Sequence, residues 1–410
     1  MHIQSIVVAL VAPILASSYR FNPLEHSSGI APYFTPHDPP LEASPPQGCN
    51  VTRAAYLVRH AAIYANDFDY ETYIEPFLEK LTRVGLQEAR SLGVTLNKRY
   101  AHLKKPTKLW SSTAERTVKS AQGFIEGFTN NRTKLLNLTQ VAESKKAGAD
   151  SLTPYKACSA HSSSYGSDQS ENFMKVYTKP IIARLNAEAR SFNFTEDDVT
   201  GMFELCGYET VIRGSSPFCS LDLFTPDEWL GFEYTNDLQY FYNTGYGRDL
   251  SPSLGFPWVN ASVAALDEES RSQELFVSFT HRELPPTVIT ALGLYNNSAY
   301  TGANNVNQTM PQNRINYNRA WKTSQILPFL ENIAIEKMSC QSYGYDEGSY
   351  YRLLNNAGPL APGGLSGWTG RKLLSEQFHD FIRQRRELFG DFNKACGDKH
   401  LPASLSIYQP

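Results

Sequence analysis

"YLVRHAAIYAND", residues 56–67, holds an apolar run, then Arg59 and His60, then an abrupt change of character. Continuous apolar runs of this kind belong to strands buried on both faces of a sheet. In open helix-covered sheets the carboxyl ends of such strands carry the reacting groups. "RAAYLVRH" therefore predicts a central strand that delivers His60 to one edge of a sheet. Beyond it, "LTRVGLQEARSLGVTLNKRY" reads as a helix, with Thr82 as N-cap and Gly85, Ala89, Leu92 and Leu96 on one face. "PTKLWSS" is a short strand, and "AERTVKSAQGFIEGF" a helix with Val118, Ala121, Ile125 and Phe128 in a stripe. This alternation predicts an α/β fold built on a helix-covered, mostly parallel sheet.

From 151 to 269 strands become scarce, and aromatic, helix-compatible segments such as "FTPDEWLGFEYTNDLQYFYNTGYG" dominate. An inserted, mainly helical second lobe is expected there, between a first part of the α/β core at 49–150 and a second at 270–410. The strand pattern returns at "ELFVSFTHRE", again ending in a histidine, and continues in "ENIAIEKMSC" and "SYYRLLNN" before a last helix, "LLSEQFHDFIRQRRELF". Residues 19–48 are rich in Pro, Ser and His and read as an extended arm.

The chain has 410 residues, 41% of them hydrophobic, enough for one large core or two lobes. A formal net charge of −3 gives no sign of a nucleic-acid partner. Residues 1–18 have the pattern of a secretory signal: the apolar stretch Ile6–Ala16 is too short to span a bilayer, and Ala16, Ser17 and Ser18 offer a cleavage site. No other segment is apolar enough for a membrane helix. Sequons at Asn50, Asn131, Asn137, Asn193, Asn260, Asn296 and Asn307 agree with an extracellular glycoprotein. Six cysteines in such a chain predict three disulfides, and the absence of Cys-x-x-Cys or Cys/His ligand spacing argues against a zinc site.

The chemistry centres on His60 and His281, each at the end of an apolar strand and each beside an arginine, Arg59 or Arg282. Glu283 follows two residues after His281, and Arg116 opens a helix just after another strand. If these strand ends meet, the guanidinium groups form a pocket for phosphate or carboxylate oxygens. A histidine there can act as nucleophile and a carboxylic acid can protonate a leaving oxygen. Taken singly, each residue has an ordinary structural explanation: a hydrogen-bonded histidine at a strand end, a solvated arginine at a helix start.

Several stretches together resemble the secreted fungal histidine acid phosphatases, the branch that includes phytases. "YLVRH" resembles the first half of the family's Arg-His-Gly-x-Arg-x-Pro motif, and "ERTVKSAQGFIEGF" the segment that supplies a further phosphate-binding arginine. "LTRVGLQEARSLG", "SSPFCSLDLFTPDEW", "YGRDLSPSLGFPWVN" and "THRELPPTVITALGLYN" are also similar to family segments. The likeness spans roughly residues 49–400. It implies an α/β domain and a helical lobe with the cleft between them, and a route through phosphohistidine that uses no cofactor. It casts His60 as nucleophile and Arg59, Arg116 and His281 as ligands of the phosphoryl oxygens. Where most of the fungal family has an Asp directly after the second histidine, this chain has Arg282. The related multiple inositol polyphosphate phosphatases use His-x-Glu, which makes Glu283 the candidate acid, with Asp67 or a water next in line. The resemblance further implies the pairs Cys49–Cys340, Cys158–Cys396 and Cys206–Cys219.

The motif departs from the family at three positions: Ala61 for Gly, Ile63 for the second Arg and Ala65 for Pro. Losing one bidentate arginine contact to phosphate costs about 2–3 kcal/mol, roughly a hundredfold in rate or affinity. Arg282 is the candidate to supply part of the lost charge, although its side-chain direction is not fixed by the sequence. Three readings follow: a phosphomonoester hydrolase of altered specificity, an isomerase, dehydratase or cyclase using the same His and Glu groups on a small molecule, or a non-catalytic secreted glycoprotein.

Overall fold

The computed structural model describes residues 21–34, 43–65, 80–269, 272–303, 305–342, 345–360 and 373–409. The expected signal segment, 1–18, and Asp67 lie outside them. The described strands are β1 (Cys49–Arg59), β2 (Lys108–Ser112), β3 (Asn137–Val141), β4 (Leu275–Thr280), β5 (Asn332–Ser342), β6 (Tyr345–Asn355), β7 (Gly358–Leu360) and β8 (Leu373–Leu374). They form one sheet in the order β3-β2-β4-β1-β5-β6-β7, with β8 also on β6. The half that bears the histidines, β3-β2-β4-β1, is parallel. Beyond β1 the sheet continues antiparallel.

Alternation along β1 splits the core in two, because successive side chains of a strand point to opposite faces. Tyr56 and Val58, with Val277 and Phe279 of β4, pack under α1 (Arg83–Arg99) and α2 (Glu115–Phe128) through Ala89, Leu92, Phe124 and Phe128. Ala55 and Leu57, with Phe276, face the other side. Thr82 caps α1, its Oγ1 accepting from the Gly85 N–H at 3.0 Å. Gly85 lets α1 press on the turn after His60: a Cβ there would lie 2.2 Å from the Ala62 carbonyl oxygen.

The helical region holds α3 (Ser167–Glu188), α4 (Glu196–Arg213) and α5 (Pro226–Asn243). Its own core stacks Phe203 on Phe224 at 4.1 Å and sets Trp229 edge-on to Phe203. The next helix, α6 (Ser251–Asp267), lies within the stretch expected for the lobe yet packs on the sheet: Trp258, Val259 and Leu266 share a core with Leu57 and Phe276. α7 (Leu284–Ala291) joins them, and α8 (Ser375–Phe389) covers the same core through Phe378 and Ile382.

Part of the Pro-rich arm is folded, not extended. Pro23–His26 and Ser28–Ile30 are tight 3-10 turns, and Ser28 is buried, hydrogen-bonded through its N–H to Ser324 Oγ and through its hydroxyl to Thr323. Short polar side chains favour such turns by capping their own backbone, as Asn22 does to the Leu24 N–H. The disulfides join Cys49 to Cys340, Cys158 to Cys396 and Cys206 to Cys219, the same pairs that the resemblance implies. Among the described residues no helix is long and apolar enough to cross a membrane.

Candidate active site

Register places the two histidines side by side. Arg59 of β1 pairs with Thr280 of the parallel β4, so His60 and His281 follow at the same level of the sheet. The His60 N–H donates to the Thr280 carbonyl at 2.9 Å, and the two imidazole rings stand edge to face with centroids 5.9 Å apart. β2 neighbours β4 on its other side, and α2, which starts just after β2, brings Arg116 to the same edge. Arg59, His60, Arg116, His281, Arg282 and Glu283 thus line one cavity of about 130 Å³, together with Ile63, Tyr208 and Phe329.

His60 is buried, and its Nδ1 lies 2.9 Å from the Ala61 carbonyl oxygen. A carbonyl only accepts, so Nδ1 carries the proton and Nε2 keeps its lone pair. Burial pushes its pKa well below the ordinary histidine value, and the charges of Arg59 and Arg116 and the neighbouring His281 push it the same way. Its surroundings therefore favour the neutral ring, with a lone pair on Nε2. The turn that follows is pinned where the Ala61 N–H donates to Ser120 Oγ on α2, at 2.9 Å.

Arg59 is fixed from behind. It donates to the Leu327 carbonyl and lies over the Phe329 ring at 4.6 Å. Its buried Nε makes no hydrogen bond among the described residues. A buried donor without a partner is costly, and an anion in the cavity would satisfy it. Burial, reinforced by Arg282, lowers the Arg59 pKa to about 10, so it stays charged at any physiological pH. Arg282 contacts Glu283, Nε to Oε1 at 3.4 Å, and Glu283 also accepts from the Tyr155 hydroxyl at 3.1 Å. Burial favours the neutral form of Glu283, but Arg282 and His281 outweigh it and hold the carboxyl at about 2.

Ile63, at the position of the missing arginine, is absorbed into an apolar cluster with Ala62, Ala65, Tyr208, Val211 and Phe329. It is only 6% exposed, so this side of the cavity is a hydrophobic wall where the resemblance expects a guanidinium. Arg282 lines the same small cavity from another wall.

Two larger cavities adjoin. One, of about 580 Å³, shares Arg282 and Glu283 and runs along Tyr155, Lys156, His161, Gln239 and Tyr240. The other, of about 430 Å³, shares Arg282 and Tyr208 and is walled by Ser27, Ser167, Asn236 and Glu204. Among the described residues no group of three or more His, Cys, Asp or Glu is placed to hold a metal ion.

Residue reasoning missed Glu143 and Tyr155. Glu143 stands two residues past β3 and accepts from His281 Nε2 at 3.2 Å, from the Ala114 N–H at 2.9 Å and from Lys156. Its signal was a carboxylate just past the carboxyl end of a parallel strand, but β3, "NLTQV", is too polar and exposed to read as one. Tyr155 sits in a single 3-10 turn, Pro154–Lys156, too short to show a periodic pattern.

A strand-borne histidine pair inside an arginine-lined pocket, on a sheet joined to a helical lobe, defines a histidine phosphatase fold. The chain belongs to the histidine phosphatase superfamily, branch 2, whose family model matches residues 56–356. It is 27% identical to a phytase of Candida albicans, over 99% of this chain and 94% of that one. With an acid phosphatase of Komagataella pastoris the identity is 26%, over 95% and 90%. Among solved structures, the phytase from D. castellii superposes with a TM-score of 0.86 at 21% identity, covering 98% of this chain and 93% of that one. A Bifidobacterium longum multiple inositol polyphosphate phosphatase, in complex with inositol hexasulfate, gives 0.62 at 13% identity, covering 87% and 97%.

Proposed function

We propose that the chain hydrolyses phosphomonoesters through a phosphohistidine at His60. The observation that carries this is the unprotonated Nε2 of His60 in a cavity that also holds Arg59, Arg116, Arg282 and His281. The arginines and His281 bind the three phosphoryl oxygens, which concentrates positive charge where negative charge is carried through the transition state. His60 Nε2 attacks phosphorus in line with the leaving oxygen. Glu283 protonates that oxygen, then takes a proton from the water that attacks the phosphohistidine. The alcohol departs into the cavity of about 580 Å³, which shares Glu283 with the reaction centre. With Ile63 in place of a second arginine, the clamp is reduced and selectivity shifts towards less charged esters.

The test is phosphate release from a panel of phosphomonoesters, including nitrophenyl phosphate and inositol hexakisphosphate, with His60→Ala as control. Turnover by the wild type, absent in the variant, supports the reading. If the wild type releases phosphate from none of them, the proposal fails.

Secretion belongs to the same reading. Three disulfides persist only in an oxidising compartment in most organisms. Asn50, Asn131, Asn137, Asn193 and Asn307 are exposed, and Asn260 and Asn296 half-exposed, so glycans can reach the sequons. A mass decrease on enzymatic deglycosylation of protein collected from the medium tests both points.

A further inference from the structure

We propose that Glu143 is a positioning residue for phosphoryl transfer: it orients His281 so that this ring can donate to the bound anion only as an imidazolium. The proposal rests on the phosphohydrolase reading above and concerns a residue outside the catalytic set.

Glu143 is held on both oxygens. Oε1 accepts from His281 Nε2 at 3.2 Å and from the Ala114 N–H at 2.9 Å, and Oε2 is paired with Lys156. All three partners are donors, so the group acts as a carboxylate. Its side chain is only 11% exposed. Burial opposes ionisation, but the bonds from His281 and Lys156 outweigh it and keep the carboxyl well below the usual range.

These contacts fix the tautomer of His281. Nε2 carries the proton given to Glu143, which leaves Nδ1 as the ring's remaining polar atom. In the neutral ring Nδ1 is a lone pair, which repels phosphoryl oxygens. Only the doubly protonated ring offers them a donor. His60 has the opposite arrangement, with Nδ1–H on Ala61 and a free lone pair on Nε2. Two histidines 5.9 Å apart are thus set to different tasks by their second partners, a backbone carbonyl for the nucleophile and a carboxylate for the donor.

Charge at His281 is contested from several elements. Arg59 at the end of β1, Arg116 at the start of α2 and its own neighbour Arg282 disfavour a cation there, while the adjoining His60 is neutral. Glu143 and Glu283 favour it, and the incoming phosphoryl anion adds to them. Tyr155 and Lys156 complete the surroundings, the first bound to Glu283 and the second to Glu143. Glu143 also ties the Ala114 N–H, at the head of the helix that carries Arg116. One carboxylate therefore sets the spacing between two of the anion's ligands.

The experiment compares wild type, Glu143→Gln and Glu143→Asp. Steady-state kinetics on nitrophenyl phosphate are combined with the ring ¹⁵N shifts of His281 in protein saturated with inorganic phosphate. We expect imidazolium shifts in the wild type, neutral-ring shifts in Glu143→Gln, a loss in kcat/KM of about tenfold or more and partial rescue by Asp. Glu143→Gln with unchanged activity and an imidazolium ring overturns the proposal. So does an activity loss that only tracks a loss of folded protein, read from the melting temperature. If both variants fail to fold, the wild type alone decides: a neutral His281 ring, or one protonated only at Nδ1, in the phosphate complex overturns it. A wild type that hydrolyses no ester is a separate failure, that of the phosphohydrolase reading.

Discussion

At the scale of single residues, Glu283 poses the sharpest question, because an acid held at about 2 is ionised in the free protein. The proton for the leaving group must then arrive with the substrate. A protonated Glu283 with a dianionic ester is kinetically equivalent to an ionised Glu283 with the monoanion, and the second pair predominates because the carboxyl is the stronger acid. We therefore expect kcat/KM to fall above about pH 6, where a phosphomonoester loses its second proton. The alkaline limb should move with the second pKa of the ester across a substrate series; a limb fixed at one pH for every ester would place the titrating group on the protein. A second expectation concerns leaving groups. Glu283→Gln removes the proton donor, so it should slow an alkyl phosphate far more than nitrophenyl phosphate, whose leaving group departs unprotonated. Equal losses on the two substrates would take Glu283 out of the acid role. That His60, Arg59, His281 and Glu283 share one cavity was legible in the sequence, because they abut apolar strands or sit at a spacing the family uses. The partners that tune them were not. Glu143, from the loop after β3, and Tyr155, from a single 3-10 turn, reach the site through contacts among residues more than a hundred positions apart.

At the scale of elements, what the sequence disclosed was whatever one side of an element dictates. β1 and β4 announce themselves by continuous burial, and α1 and α2 by a cap and an apolar stripe. The antiparallel run of β5 and β6 was readable as strands but not in direction, since direction is fixed by pairing and not by composition. Contact between elements is where the site is adjusted. α1 starts against the turn Ala61–Ala62, and Thr82 holds the Ala62 carbonyl through both its N–H and its hydroxyl. Gly85→Ala would put a methyl group 2.2 Å from that carbonyl oxygen, where backbone has to move. We expect a stability loss of about 1–3 kcal/mol, the usual range for overpacking, read by urea unfolding. Turnover should fall too, since the displaced turn carries the residues beside His60. Unaltered stability would mean that the helix start shifts freely and that the close approach has no role in setting the site.

At the scale of the whole molecule, substrate charge decides what the fold is used for. The relatives include proteins called phytases and proteins called acid phosphatases, so likeness alone does not choose between a polyphosphorylated substrate and a simple one. Three features of this chain favour the simple one. The formal net charge is −3, which gives no long-range attraction for a polyanion. The small cavity has an aliphatic wall at Ile63 in place of a guanidinium. In the adjoining cavity of about 580 Å³, the positive charge of Lys156 is already matched by Glu143, and much of the remaining wall, Ser159, Ser163, Gln239, Tyr240 and Asn243, is neutral and polar. A second or third phosphate on the substrate therefore meets few unmatched cations. We expect kcat/KM for inositol hexakisphosphate to lie well below that for nitrophenyl phosphate, by about a hundredfold if the loss equals one bidentate arginine contact. The comparison requires both substrates at one pH and ionic strength, because exposed charges are screened by salt. Arg282→Gln should depress both rates, since Arg282 borders the reaction centre and both larger cavities. Preference for the hexakisphosphate would contradict the expectation. It would mean that Lys145 and Lys156, on the wall of the larger cavity, take over the work of the missing clamp.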